Sequence, residues 1–159
     1  MSTFTQHKPA LVQIVLAAGG AIVSAILASF HYSPVATATF CTGAGGCETV
    51  NTSPYSTIAG IPIALIGLGA YVVIGALAFA STRDWPISEQ APLAVFGLSL
   101  IGVLYSLYLT YLELFVIRAI CPWCVASAVL ITAIWIVSIA DLVQRRHAAE
   151  ALDALEVDA

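Results

Sequence analysis

Charge is what this chain lacks most. Only 9% of its 159 residues are Asp, Glu, Lys or Arg, and just five are basic. With no basic run and a formal net charge of -4, it has no electrostatic footprint for nucleic acid. Polar helix faces are missing as well, since the long apolar stretches carry no stripe by which a soluble helix would meet water. No internal repeat is evident. No His follows the one CxxC motif, where Val125 stands instead, and this excludes c-type haem attachment.

What the chain has is apolar mass, at 60% hydrophobic residues. A helix that crosses a bilayer needs about 20 apolar residues. Four segments qualify: residues 10–30, 58–80, 91–117 and 124–143. Their interruptions are few: Gln13, Ser24 and Ser29 in the first, no charge in the second, Glu113 near the end of the third and Asp141 at the exit of the fourth. The expected fold class is all-α integral membrane, a four-transmembrane-helix bundle whose outer loop or short interfacial helix caps the site. Residues 1–147 form the membrane domain in this reading. Residues 148–159 form an acidic cytoplasmic tail, a solvated helix extending the fourth span, where Glu150, Asp153, Glu156 and Asp158 supply most of the net charge.

Four spans place Lys8, Arg83, Arg145 and Arg146 on one side and Arg118 alone on the other. The positive-inside rule makes the first side cytoplasmic, with both termini there, in a multi-pass protein of the cell (inner) membrane. Cys41, Cys47, Cys121 and Cys124 then all lie on the extracytoplasmic side, where disulfides persist. Lys8, the first apolar run and Ala36-Thr37-Ala38 imitate a cleavable leader, but the run exceeds an h-region of about 7–15 residues, so it reads as a span.

The outer loop after the first span holds Cys41 and Cys47, separated by Thr42-Gly43-Ala44-Gly45-Gly46. This glycine-rich bridge gives the two thiols freedom to approach and separate. The polar and aromatic stretch from Glu48 to Ile58 reads as a short helix or turn at the interface. In the second span, Gly67, Gly69 and Gly75 are spaced to let a neighbouring helix come close.

Cys121-Pro122-Trp123-Cys124 opens the fourth span. A CxxC there sets two sulfurs one turn apart on one face, beside the positive end of the helix dipole, which favours the thiolate. Pro122 suits the first helical turn, and Arg118 is near enough in sequence to add positive charge. Such a motif serves as a redox pair, a structural disulfide or half of an all-thiolate zinc site. The extracytoplasmic setting and the loose glycine bridge between the other two cysteines weigh toward redox chemistry and against a metal.

Taken together, Cys41 and Cys47 in the first outer loop, Ser53, the Ser53-Pro54-Tyr55-Ser56 run before Gly60-Ile61-Pro62, and Cys121-Pro122-Trp123-Cys124 resemble the vitamin K epoxide reductase family. The resemblance covers the chain from about Ala10 to Val143. It implies a membrane thiol:quinone oxidoreductase that uses ubiquinone or menaquinone and no metal. By resemblance, Cys124 is the cysteine nearest the quinone and Cys121 its disulfide partner. Cys41 is the point of attack for an external thiol partner, Cys47 relays electrons to Cys121, and Ser53 orders the cap. The implied partner is a separate extracytoplasmic DsbA-like thioredoxin-fold protein, and the implied role is disulfide bond formation. Animal members that reduce the epoxide carry Thr-Tyr-Ala beyond the CxxC, whereas this chain has Ser127-Ala128-Val129, which points away from epoxide reduction. Tyr105, Tyr108 and Tyr111 on the third span are either packing residues or a quinone lining. Glu113 is an intramembrane carboxylate, read either as delivering a proton to the quinone or as snorkelling to Arg118 or to water. The alternatives are a reductase of vitamin K-type naphthoquinone or its epoxide, and a non-catalytic scaffold whose four cysteines bind zinc.

Overall fold

The computed structural model describes residues 3–33, 41, 46–83 and 85–157. Ala36-Thr37-Ala38 and four of the five residues between Cys41 and Cys47 lie outside them. The first helix, α1, is Thr3–Tyr32. A short helix α2, Gly46–Asn51, and a 3-10 turn, Pro54–Ser56, lead into strands β1, Thr57–Ile58, and β2, Ile61–Pro62. Helix α3 is Ile63–Ala80, α4 is Ala91–Tyr111 prolonged by a π-helical turn over Leu112–Ile117, and α5 is Pro122–Val157. Four of these helices are long and apolar enough to cross a membrane. The protein is a multi-pass membrane protein built as an all-α four-helix bundle.

Its inside and outside are inverted relative to a water-soluble bundle. Leu11, Ile101, Leu107 and Val129 are each about three-fifths exposed, as suits side chains solvated by lipid tails. The interior is small or polar. Ala17, Tyr71, Ile74, Val95, Ile131 and Ile134 form its apolar centre, and Gln13, Ser24, Ser99, Ser138 and Asp141 are buried around them. Ser99 Oγ on α4 lies 3.4 Å from Ser138 Oγ on α5, and Asp141 accepts a 3.0 Å bond from Arg145 Nε one turn later. Of the two, the Ser99–Ser138 bond is interhelical, a kind that contributes about 0.6 kcal/mol.

The helices close into a ring: α1 packs on α3 and α5, and α4 packs on α5 and α3. Close approach is set by small residues. Gly67 and Gly75 face α1, opposite Ser24 and Ala17, as their spacing predicts, but Gly69 faces open space. The tightest contact comes from the other partner. Gly20 of α1 carries the Tyr71 ring where a Cβ would otherwise stand.

The second span starts at Ile63 rather than at residue 58. Thr57 pairs with Pro62 and Ile58 with Ile61 in a minimal antiparallel hairpin. Its two central residues, Ala59 (φ 52°) and Gly60 (φ 83°), are both left-handed, a backbone no helix can continue through. Eighteen residues of α3 remain, a rise of about 27 Å and close to the thickness of the hydrocarbon layer. At the other end of the chain, α5 runs on through Val157, so the acidic segment continues the fourth span as helix.

Gly20→Ala would drive a methyl group into the Tyr71 ring and should lower stability by about 1–3 kcal/mol. Thermal unfolding in detergent reads this. Gly69→Ala, with no neighbour within 4 Å, is the control expected to leave the midpoint unchanged or raised. Equal midpoints for the two variants would contradict the packing described.

Candidate active site

The site begins where the chain turns from α4 into α5. The π turn ends at Arg118, whose backbone is left-handed (φ 55°), and the Ala119 N–H closes back onto the Glu113 carbonyl at 3.1 Å. A turn of this kind satisfies carbonyls that a helix end leaves unpaired. Three residues later the chain enters α5 with Pro122 in the first position, where a missing N–H costs nothing. Cys121 therefore stands at the cap. Its carbonyl accepts from the Val125 N–H at 3.1 Å, and its sulfur accepts from the Cys124 N–H. Cys124 sits in the first turn, with its thiol in hydrogen-bonding contact with Cys121.

Helix α2 delivers the second pair. Gly46 and Cys47 are both buried. Gly46 lies directly on the backbone of Ile120, so close that a Cβ would overlap the Ile120 carbonyl. That approach brings Cys47 Sγ to 3.8 Å from Cys121 Sγ, which is van der Waals contact between sulfurs of different pairs. Cys41 hydrogen-bonds to Cys47 in turn. The four free thiols thus form one line: Cys41, Cys47, Cys121, Cys124. The two central sulfurs are buried, and the two ends are half-buried.

Electrostatics divide the two central thiols. Hydrogen bonds from the Cys124 thiol and backbone and from Cys47 hold Cys121 down to about 7, overcoming the opposing effect of burial. Burial, with contacts to Cys41 and Cys121, pushes the Cys47 thiol well above its ordinary value. The negative charge of the cluster therefore settles on Cys121. This is where the helix N-terminus can stabilise it.

Glu113 is drawn into the same cluster. It is only 4% exposed, and its Oε2 accepts from the Cys121 N–H at 3.3 Å. It also hydrogen-bonds to the Cys124 thiol. The ion pair with Arg118 does not form: Arg118 is exposed, and its left-handed backbone turns the chain instead of bringing positive charge to Cys121. Ser53 stays local, donating to the Val50 carbonyl at 2.7 Å and accepting from Ser56, so it ties α2 to the following 3-10 turn. Tyr108 and Tyr111 are more than half exposed on the lipid-facing side, while Tyr105 is half-buried beside Tyr108 at a ring separation of 6.1 Å.

Two contributors were not singled out from the sequence. Tyr71 is buried in mid-span and donates its hydroxyl to the Ser127 carbonyl at 2.8 Å, with Ser127 Oγ 3.1 Å away, one turn below Cys124. The one hydroxyl in an otherwise apolar span, with glycines available on α1, was the signal for it. Gly46 is the other. Among the described residues, no group of three or more His, Cys, Asp and Glu side chains is arranged to hold a metal ion.

In the fully reduced protein, ultraviolet thiolate absorbance should show a step centred near pH 7 that disappears in Cys121→Ser. Persistence of that step in the variant would place the first thiolate elsewhere. The sequence model of the vitamin K epoxide reductase family matches residues 11–139, which include both cysteine pairs and Glu113. The chain belongs to the vitamin K epoxide reductase family, membrane oxidoreductases that work through redox cysteines and quinone.

Proposed function

We propose that this protein is a thiol:quinone oxidoreductase that reoxidises a separate extracytoplasmic DsbA-like thioredoxin-fold protein, reduces ubiquinone or menaquinone, and so sustains disulfide bond formation. The observation that carries the reading is the 3.8 Å contact between Cys47 and Cys121, which joins two pairs that would otherwise be separate redox centres. Such a partner is strongly oxidising, and restoring its disulfide requires an electron sink of the quinone kind. The orientation that fits has both termini in the cytoplasm and the cysteine cluster facing out.

In this reading, a partner thiolate attacks a Cys41–Cys47 disulfide at Cys41 and frees Cys47. The partner's second thiol then displaces Cys41, and the partner leaves oxidised. Cys47 attacks a Cys121–Cys124 disulfide at Cys121, the sulfur it already touches, and releases Cys124. Cys41 next displaces Cys121 from Cys47 and restores the outer disulfide. The high proton affinity of buried Cys47 suits this order, because its thiolate gains by bonding to another sulfur. Cys121 and Cys124 are left as dithiol, and re-forming their disulfide gives two electrons to the quinone. The quinone approaches from the bilayer past the aromatic row of Tyr105, Tyr108, Tyr111 and Phe115, and Ser53 keeps α2 ordered above the cluster.

Anaerobic quinone reduction by purified protein, with a dithiol or a reduced thioredoxin-fold donor, tests the reading. Wild type should form quinol, and Cys124→Ser should form none. Cys47→Ala should abolish electron transfer from the protein donor while leaving part of the turnover with a small dithiol that reaches the inner pair directly. Equal loss with both donors would refute the division between outer and inner pairs. No quinol from folded wild type with any quinone would favour the scaffold reading, as would stoichiometric zinc in the purified protein.

A further inference from the structure

Glu113 takes no part in the thiol relay described above, and its surroundings are specific. It lies within the third span, it is 4% exposed, and no cation pairs with it among the described residues. An intramembrane carboxylate without a counter-ion is a functional candidate by default. Its two partners are both parts of the inner cysteine pair. One oxygen receives the Cys121 N–H at 3.3 Å, and the carboxyl shares a hydrogen bond with the Cys124 thiol. The distortion around it is specific too. The helix widens into a π turn at Leu112–Ile117, and Leu112 and Glu113 are the turn's buried residues. Single π turns recur at functional sites because they re-aim one side chain without ending the helix.

The titratable groups in contact with this carboxyl are Cys121 and Cys124, both at the start of α5, and Cys47 of α2 lies behind them against the Cys121 sulfur. From α3, the Tyr71 hydroxyl lies one turn deeper and is committed to Ser127.

We propose that Glu113 is a catalytic residue, the proton carrier for Cys124 during quinone reduction. The inference rests on the reading that Cys124 faces the quinone. Cys121 and Cys124 begin as two thiols, and Cys121 releases its proton to the aqueous mouth of the site. Cys124 passes its S–H proton to the Glu113 carboxylate as its electron pair moves to the quinone. The Cys121 sulfur then bonds to the Cys124 sulfur. Two S–H bonds have broken and one S–S bond has formed, and two electrons have reached the quinone. Glu113 hands its proton to one quinol oxygen, and the second oxygen takes its proton from the mouth. The carboxylate is regenerated.

Glu113→Gln separates this role from a structural one, because the carboxamide oxygen can still accept the Cys121 N–H while the group can no longer take a proton. Purified full-length protein is reduced with dithiol, mixed anaerobically with quinone, and followed for quinol; exchange of Cys41 and Cys47 with the dithiol is measured separately. The proposal expects quinol formation to fall about 10²- to 10⁴-fold with thiol exchange unchanged. It also expects Glu113→Asp, one methylene shorter but still an acid, to recover part of the loss. Quinol formation by Glu113→Gln within about twofold of wild type would overturn it, as would parallel loss of quinol formation and thiol exchange. Wild type that forms no quinol would overturn the quinone reading and this assignment with it.

Discussion

The close approach of one backbone to another, Gly46 on Ile120, is the constraint on which the rest of the site depends. A side chain at position 46 would hold α2 off the α4–α5 turn, and the two cysteine pairs would then be neighbours without contact. With glycine there, Cys47 is pressed onto Cys121, both sulfurs are withdrawn from solvent, and their proton affinities are driven apart. Burial alone would raise both thiols. The asymmetry arises because Cys121 occupies a helix cap and accepts the hydrogen bonds, whereas Cys47 is desolvated and its contacts with Cys41 and Cys121 raise it further.

The lipid environment explains the remaining architecture. A bundle whose outer surface is already apolar gains little from burying more apolar area, so helix contacts rest on small residues and a few polar links. Gly20 against Tyr71 is the tightest of these contacts, and the same Tyr71 reaches across to Ser127 below the inner pair. One side chain therefore couples α1, α3 and α5 at the depth just beneath the chemistry. Above it, the hairpin at Thr57–Pro62 and the π turn at Leu112–Ile117 end their spans with irregular backbone at the cysteine-bearing end.

Much of this was legible in the sequence, for physical reasons that also explain what was not. Four spans can be read because hydropathy sums over many residues and a single error does not matter. The cysteine pairs can be read because a CxxC before an apolar run fixes its own geometry through the helix. The start of α3 was placed five residues early because Ile58 and Ile61 are as apolar in a two-residue strand as in a helix, and only the backbone at Ala59 and Gly60 tells them apart. Gly46 could not be distinguished from Gly43 or Gly45, since a backbone contact leaves no periodic trace. Arg118 is close to Glu113 in sequence, but it leaves the helix through a left-handed backbone and faces solvent, which sequence proximity does not reveal. Tyr71 was counted among apolar residues, and its hydroxyl became visible only when Ser127 was brought opposite.

The central claim is that electrons cross from the outer to the inner pair through Cys47 and Cys121. The most direct measurement is disulfide mapping by mass spectrometry on protein carrying Cys41→Ser and Cys124→Ser, mildly oxidised in a bilayer. The account predicts a Cys47–Cys121 cross-link in high yield, because those sulfurs already lie 3.8 Å apart. Two free thiols after oxidation, in protein shown to be folded, would contradict it.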